Sequence, residues 1–157
     1  MSTKETLHTW FIENNKTLAF GESCTGGLMA THITAMSGAS KYFLGSLVVY
    51  SNALKEKILH VSSQTLLSEG AVSLQTAQEM LTGLFKVTGA DVGVAVTGIA
   101  GPSGGSLEKP IGTIFYALGM RNGKIESGSF SAQGNRQTIM LSTTNQLLEK
   151  LLHYVTT

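Results

Sequence analysis

One stretch of the chain joins an apolar strand to an amphipathic helix through a glycine-rich turn: Leu18-Ala19-Phe20, Gly21-Glu22-Ser23-Cys24-Thr25-Gly26-Gly27, and Leu28-Met29-Ala30-Thr31-His32-Ile33. A strand followed directly by a turn and a helix is typical of α/β folds. The turn places the hydroxyl of Ser23 at a helix N-terminus, where free backbone N–H groups and the helix dipole can stabilise an oxyanion or bind a phosphate. The stretch therefore predicts an α/β fold and marks Ser23 as a candidate nucleophile.

Strand and helix patterns alternate along the rest of the chain. Capping residues mark the helix ends, and Asn122-Gly123 is a strong hairpin signal. Together they predict one α/β domain with a mixed sheet that is covered on both faces. The predicted elements are a helix from Ser2, strand 17–20, helix 25–35, buried strand 44–50, helix 53–59, a helix from Ser73 to Gly89, buried strand 92–96, hairpin strands 111–120 and 124–132, and a final helix.

Length and composition narrow the class of protein. A chain of 157 residues is most simply one domain, here 1–157. Eleven basic and ten acidic residues leave a net charge of +1, and 13% of residues are charged. This balance indicates neither a nucleic-acid partner nor an anionic membrane surface. No apolar run approaches the roughly 20 residues of a membrane span.

The remaining composition concerns compartment and assembly. A single cysteine excludes an internal disulfide, and we expect a cytoplasmic protein. The low charge, together with 42% apolar residues, predicts a homo-oligomer in which part of the surface is covered by another copy. No spacing of histidines, cysteines or carboxylates predicts a metal site.

Three polar loops follow predicted strands, and their convergence is the central expectation for the site. They span residues 21–27, 50–55 and 97–105. In α/β sheets, ligands bind where loops leave the carboxyl ends of parallel strands. The first loop departs from the nucleophile elbow of α/β-hydrolases, because its spacing is Gly-x-Ser-x-x-Gly. The alternative for Ser23 is an ordinary helix cap.

A serine nucleophile needs a base, and Lys55 in the second loop is the candidate. Lysine acts as a base only when neutral, so a pKa near 10.4 must fall by roughly 2–3 units, which costs about 3–4 kcal/mol. Burial beside an apolar strand has this effect. The alternative is an exposed lysine on a helix surface, which is the commoner case. The four histidines lie outside all three loops: His8, His32, His60 and His153.

The third loop, Thr97-Gly98-Ile99-Ala100-Gly101-Pro102-Ser103-Gly104-Gly105-Ser106, resembles an anion cradle, because glycines let backbone N–H groups approach a ligand. It has neither the Walker A spacing nor the helix that would complete a Rossmann fingerprint, and a plain long turn remains the alternative. Arg136, just before the final helix, suits bidentate binding of phosphate or carboxylate; a surface salt bridge is its alternative. Cys24 ranks below Ser23 as a nucleophile, since no histidine accompanies it.

These segments together resemble the CinA C-terminal domain family. The resemblance rests on Glu22 to Gly27, on Tyr50-Ser51-Asn52 with Lys55, and on 97–102 continuing to Lys109-Pro110-Ile111-Gly112-Thr113. It spans roughly residues 5–153 in the same order. The characterised activity of that family is nicotinamide-nucleotide amidase, also called nicotinamide mononucleotide deamidase. Longer members carry an extra N-terminal domain that resembles molybdopterin-binding proteins. The resemblance therefore implies the stand-alone form.

The resemblance implies a three-layer α/β/α sandwich with a mixed, mostly parallel sheet. It also implies hydrolysis of the carboxamide of nicotinamide mononucleotide by a Ser/Lys mechanism that needs no cofactor. Ser23 would be the nucleophile and Lys55 the base, with Tyr50 and Thr97 assisting. The expected partner is this small nucleotide. The candidate substrate-binding residues are Thr25, Gly26, Asn52, Gly98, Gly101, Gly105 and Arg136.

Two departures from the family pattern concern binding more than chemistry. Asn135 stands where we expect an acidic residue, and Ser103 where we expect aspartate. Two alternatives to this function stay open at this point. One is a nucleotide-binding or regulatory module without catalysis, and the other is an amidase for a related nucleotide amide.

Overall fold

The computed structural model describes residues 1–157 and contains five strands, six α-helices and one short 3₁₀ helix. Their order gives the labels used below. They are α1 (Thr3–Asn14), β1 (Leu18–Glu22), α2 (Leu28–Thr34), the 3₁₀ helix (Ala39–Lys41), β2 (Phe43–Val48), α3 (Asn52–Leu59), α4 (Ser63–Ser68), α5 (Leu74–Thr88), β3 (Val92–Gly98), β4 (Thr113–Met120), β5 (Ile125–Ser131) and α6 (Arg136–Thr156).

The strands form one mixed sheet in the order β2-β1-β3-β4-β5. β1 pairs in parallel with both β2 and β3, whereas β4 pairs antiparallel with β3 and with β5. Four strands therefore run in one direction and only β4 opposes them, which confirms the mixed, mostly parallel sheet. The carboxyl ends of β1, β2 and β3 share one edge, so the three predicted loops leave the sheet at the same place.

Side-chain size alternates along the central strand β3 and decides how the helices pack. Val92, Val94 and Val96 belong to the larger apolar core, which includes side chains of α1, α2 and α6. Ala95 belongs to the second core with α5. At Gly93 on that face, a Cβ would lie 3.0 Å from side chains of α5. Helices cover both faces of the sheet, which confirms the three-layer α/β/α sandwich.

A glycine lets α3 pack tightly on α5. A Cβ at Gly83 would lie 1.7 Å from the carbonyl oxygen of Leu59, the last residue of α3. No side chain fits there, so the two helices touch through their backbones. Lys55 lies one helical turn before Leu59, and both are buried in α3. This contact therefore holds the helix that carries the candidate base.

Several local predictions are confirmed. The side chain of Ser2 forms the predicted capping box with Glu5 at the start of α1. Ser73 caps α5, and Gly89 ends it with a φ of 67°. Asn122-Gly123 connects β4 to β5 as an antiparallel hairpin. Each of these signals acts between residues close in sequence, which is why the sequence alone reveals it.

Two predictions about elements were wrong. Strand 44–50 was expected to be buried, but β2 lies at the sheet edge, and the side chains of Leu44 and Val48 are 51% and 42% exposed. An apolar run does not distinguish a central strand from an edge strand whose faces are partly open. Helix α4 was not predicted, because it is only six residues long; Ser62 caps it locally, and Glu79 of α5 accepts the N–H of Ser62 and the hydroxyl of Thr65. The homo-oligomer stays a prediction. No helix has both the length and the apolar character that crossing a membrane requires.

Candidate active site

A cavity of about 200 Å³ lies at the carboxyl ends of β1 and β3. All three predicted loops contribute to its wall, together with the turn before α5. A larger open groove of about 660 Å³ between α5 and the β4–β5 hairpin contains none of the candidate site residues. The cavity is lined by Ser23, Cys24, Tyr50, Asn52, Lys55, Ala71, Val72, Thr97, Gly98, Ala100 and Arg136.

Ser23 and Lys55 meet at the base of this cavity. Lys55 Nζ lies 2.8 Å from Ser23 Oγ. The two side chains are 1% and 6% exposed for Lys55 and Ser23, respectively. The β1–α2 turn supplies the serine, and the first turns of α3, capped by Ser51, supply the lysine. The structure thus brings together the two groups that the sequence singled out in separate loops.

Two backbone carbonyls orient the amine of Lys55. Nζ donates to the carbonyl oxygens of Val49 at 3.0 Å and Tyr50 at 3.1 Å. A neutral amine has two N–H groups and one lone pair, so these carbonyls use both N–H groups. The lone pair is then directed at Ser23 Oγ, whose hydroxyl can donate to it. This arrangement suits a base that takes the serine proton.

Burial increases the neutral fraction of the Lys55 amine near neutral pH. Desolvation lowers the pKa of Lys55 from its ordinary value of 10.5 to about 8. The nearby Cys24 side chain acts weakly in the opposite direction. With a pKa near 8, about a tenth of Lys55 is neutral at pH 7, compared with about 0.03% of an ordinary lysine. Lys57, two residues further along α3, is exposed.

The turn after Ser23 contains two backbone N–H groups that have no partner within the protein. The N–H of Gly26 donates to the Ser23 carbonyl at 3.1 Å, and that of Gly27 donates to Glu22 Oε2 at 3.0 Å. The N–H groups of Cys24 and Thr25 make no hydrogen bond within the protein. Of the two residues only Cys24 lines the cavity, whereas Thr25 is fully buried, so the N–H of Cys24 is the candidate oxyanion donor.

The thiol of Cys24 is a poor nucleophile in this setting. The residue is 6% exposed, and burial raises its pKa to about 12. A thiol reacts mainly as the thiolate, which this environment disfavours. The structure supports the ranking of Ser23 above Cys24.

Arg136 and Tyr50 bridge the mouth of the cavity. Arg136 Nη1 donates to the carbonyl of Gly101 at 2.6 Å, and Nη2 donates to the hydroxyl of Tyr50 at 2.7 Å. Asn135 caps α6 by accepting the N–H of Thr138 at 2.9 Å, which is a role that an acidic residue would also fill. Arg136 therefore begins α6 as an exposed cation at the rim.

Three other candidate residues line the cavity in different surroundings. Thr97 is buried, and its hydroxyl donates to the Ala71 carbonyl at 2.8 Å, which fastens the turn before α5 to the cavity wall. Asn52 is exposed at the rim. At Gly98 a Cβ would lie 2.8 Å from the backbone oxygen of Thr113, so a side chain does not fit there without a backbone shift.

Four candidates lie outside the cavity lining. The Thr25 hydroxyl donates to Glu22 Oε2 at 2.6 Å and is not directed at a ligand. Gly26 has a φ of 59° and forms the turn. Gly101 presents its carbonyl to Arg136, and a Cβ there would lie 2.6 Å from the side chain of Ile111. The remaining candidate, Gly105, also packs on that isoleucine.

Glu22 belongs to the motif quoted from the sequence, but it was assigned no role there. It is fully buried and its carboxylate accepts hydrogen bonds from side chains and from the start of α2. An acidic residue just ahead of a helix is a recognisable signal, because its charge complements the helix dipole. Ala71 and Val72 were missed as well, and small apolar loop residues carry no comparable signal. No group of three or more His, Cys, Asp or Glu side chains could hold a metal ion.

Comparison with known proteins identifies the family. The model of the CinA C-terminal domain matches residues 1–155. The chain belongs to the CinA C-terminal domain family. The CinA-like protein of Thermotoga neapolitana is 49% identical over 139 residues, which cover 88% of this chain and 34% of that protein. The putative competence-damage inducible protein of Clostridium novyi is 41% identical over 151 residues, covering 96% and 36% of the two chains.

Solved structures show the same fold over the whole chain. The competence/damage-inducible protein CihA of Agrobacterium tumefaciens superposes with a TM-score of 0.92 at 37% identity, covering 98% of this chain and 99% of that one. A CinA superfamily protein from Enterobacter cloacae gives a TM-score of 0.92 at 32% identity, covering 98% and 90%. The chain spans about a third of the length of the curated relatives that it matches. The family resemblance drawn from the sequence is confirmed.

Proposed function

We propose that this CinA-family domain hydrolyses the carboxamide of nicotinamide mononucleotide to nicotinate mononucleotide and ammonia. The observation that carries the proposal is the buried contact of 2.8 Å between Lys55 Nζ and Ser23 Oγ. It joins a hydroxyl to an amine whose pKa is lowered to about 8. The family resemblance supplies the substrate, and the geometry supplies a way to attack an amide.

In the first step, the lone pair of Lys55 takes the proton of the Ser23 hydroxyl while Oγ attacks the amide carbon. The carbonyl oxygen becomes an oxyanion, for which the N–H of Cys24 is the candidate donor. One such donor is worth about 3 kcal/mol in well-studied hydrolases. The ammonium that forms on Lys55 has three N–H groups. The carbonyl oxygens of Val49 and Tyr50 and the Oγ of Ser23 can each accept one of them.

In the second step, the ammonium of Lys55 gives its proton to the departing nitrogen, and the C–N bond breaks to release ammonia. An ester between Ser23 Oγ and the nicotinoyl carbon remains. Water then attacks this ester, Lys55 takes the water proton, and Oγ recovers a proton as the acid leaves. The base returns to its neutral form, and one water is consumed for each amide hydrolysed. The positive pyridinium ring of the substrate withdraws electrons from the amide and eases the first attack.

The size of the cavity suggests how the nucleotide lies. About 200 Å³ is below the roughly 300–1,000 Å³ of pockets that enclose drug-sized ligands. The space suits the amide and its ring, while the ribose and phosphate extend to the rim. Arg136 stands at this rim and uses only two of its five N–H groups on Gly101 and Tyr50. Its guanidinium is therefore the candidate phosphate ligand.

Ammonia release from nicotinamide mononucleotide, measured for wild type and Ser23→Ala, tests the proposal. We expect release by wild type only, with both proteins folded by circular dichroism. Lys55→Arg should be nearly as inactive, since arginine stays protonated at neutral pH. Turnover by Ser23→Ala would remove the serine from the mechanism. If wild type is stabilised by the nucleotide but releases no ammonia, a panel of other nucleotide amides is tested. Turnover of one of them identifies a different substrate, and turnover of none makes the domain a binding module.

A further inference from the structure

The buried carboxylate of Glu22 has no cationic partner and accepts five hydrogen bonds. No lysine or arginine pairs with it, since the one ion pair of the protein joins Arg121 and Asp91. Its donors instead are two hydroxyls and three backbone N–H groups at the start of α2. They are Thr25 Oγ1 at 2.6 Å, Gly27 N at 3.0 Å, Met29 N at 3.2 Å, Ala30 N at 3.1 Å and Ser46 Oγ at 2.7 Å.

This network shapes the turn that carries the nucleophile. By taking the hydroxyl of Thr25 and the N–H of Gly27, Glu22 curls residues 23–27 back towards β1. The N–H groups of Cys24 and Thr25 are the ones left without a partner inside the protein. The carboxylate thus occupies the amides that would otherwise attract an anion at α2, and of the two unpartnered N–H groups that of Cys24 lies in the cavity wall.

Glu22 also connects this turn to β2, the strand that precedes the helix of Lys55. The Glu22 carbonyl accepts the N–H of Val49 at 2.8 Å, and its side chain accepts the hydroxyl of Ser46 on β2. The carbonyls of Val49 and Tyr50 in turn hold Lys55 Nζ. Glu22 is therefore bonded both to the turn of the serine and to the support of the lysine.

We propose that Glu22 is a positioning residue, which sets the nucleophile turn against the support of the lysine base and so determines the rate of the chemical step. This inference rests on the proposed amidase function. A carboxylate is needed because it accepts all five bonds, whereas a glutamine would turn an NH₂ group towards one set of donors. The positions of Ser23 and of the Cys24 N–H would then relax.

Glu22→Gln tests the proposal, with Glu79→Gln as the matched control. Glu79 is also a capping carboxylate: it accepts the N–H of Ser62 at 2.9 Å and the hydroxyl of Thr65 at 2.6 Å at the start of α4. Neither α4 nor Glu79 lines the cavity. Both variants should unfold at a lower temperature than wild type. Only Glu22→Gln should lose kcat for ammonia release, by about 100-fold with KM within about threefold, as expected for a displacement near 1 Å.

If Glu22 has only a structural role, Glu22→Gln should lose stability and keep its kcat. If Glu22→Gln keeps kcat within about threefold of wild type, or shows its loss only in KM, the proposal is overturned. Ser46→Ala covers the case in which Glu22→Gln does not fold, because it removes one donor and leaves the charge in place. We expect about a fivefold lower kcat for that variant, the effect of one lost hydrogen bond of about 1 kcal/mol. A wild-type kcat would overturn the proposal.

A second readout separates this proposal from the choice of substrate. A small fluorophosphonate reacts with an activated serine whatever amide the enzyme uses, and mass spectrometry locates the adduct on Ser23. If wild type is labelled but releases no ammonia from the nucleotide, the substrate is wrong, and slower labelling of Glu22→Gln still supports the positioning role. Equal labelling rates overturn it. If wild type neither reacts nor turns over, both proposals fail.

Discussion

Replacing Lys55 by methionine removes a buried amine whose charge the folded protein disfavours, and the consequence is a change in how stability depends on pH. In the unfolded chain the lysine keeps its proton up to its ordinary pKa of 10.5, whereas in the folded protein it loses the proton near pH 8. Between these values the unfolded state binds more protons. The free energy of unfolding of wild type must therefore rise with pH across this window.

The size of the effect follows from the lowered pKa. A difference of 2.5 between 10.5 and about 8 corresponds to about 3 kcal/mol over the full window. Between about pH 7.5 and about pH 10, the part of the window that is easy to reach, the gain is about 2 kcal/mol. Lys55 is 1% exposed, so solvent does not screen this effect. Lys55→Met lacks the titrating group and should show none of this gain.

Urea unfolding of both proteins at several pH values in this range measures the effect. Other lysines, the tyrosines and the thiol titrate in both proteins, so their contributions cancel in the difference between the two. Hydrogen bonds lost at the Val49 and Tyr50 carbonyls shift the methionine variant by a constant amount and leave the slope unchanged. Two parallel curves of unfolding free energy against pH would refute the burial of a neutral lysine and the mechanism built on it.

Two further predictions concern turnover. The neutral fraction of a base with a pKa near 8 rises about tenfold from pH 7 to pH 9, so kcat should rise about tenfold and level off; a flat profile would exclude Lys55 as the base. Arg136→Lys keeps the charge but loses the planar fork that bonds Gly101 and Tyr50, so KM for the nucleotide should rise about tenfold with kcat nearly unchanged. Arg121→Lys, at a guanidinium that bonds Ala90 and Asp91, is its control, and equal KM values in the two variants would contradict a role of Arg136 in binding.

Much of the site could be located from the sequence because its residues follow strands whose carboxyl ends are recognisable. Ser23, Lys55 and Thr97 each lie at or just after the carboxyl end of a parallel strand or in the next helical turn. The topology rules for α/β sheets then bring them to one edge. Helical spacing also places Lys57, two residues after Lys55, on a different side of α3, and it is exposed. The degree to which Lys55 is buried, by contrast, depends on the packing of α3 against α5.

The sequence could not show how hydrogen-bond donors are shared within the turn. Thr25 and Gly26 stand beside the nucleophile and belong to the same motif, yet the hydroxyl of Thr25 is used by Glu22. This allocation depends on the curl of the chain after β1 and on Ser46, which is 24 residues away. The edge position of β2 was hidden for a similar reason, because the identity of its neighbours is a property of the whole sheet.

Because of the backbone contact at Gly83, the geometry of the candidate site depends on a residue that does not line the cavity. Any side chain at this position would push the end of α3 away from α5, since a Cβ would lie 1.7 Å from the Leu59 carbonyl oxygen. Lys55 belongs to the same short helix and would be carried outwards, into water and away from Ser23. Its amine would then regain its proton at neutral pH. A substitution in α5 would thus abolish the proposed activity by restoring the ordinary pKa of lysine, with every group in the cavity still present.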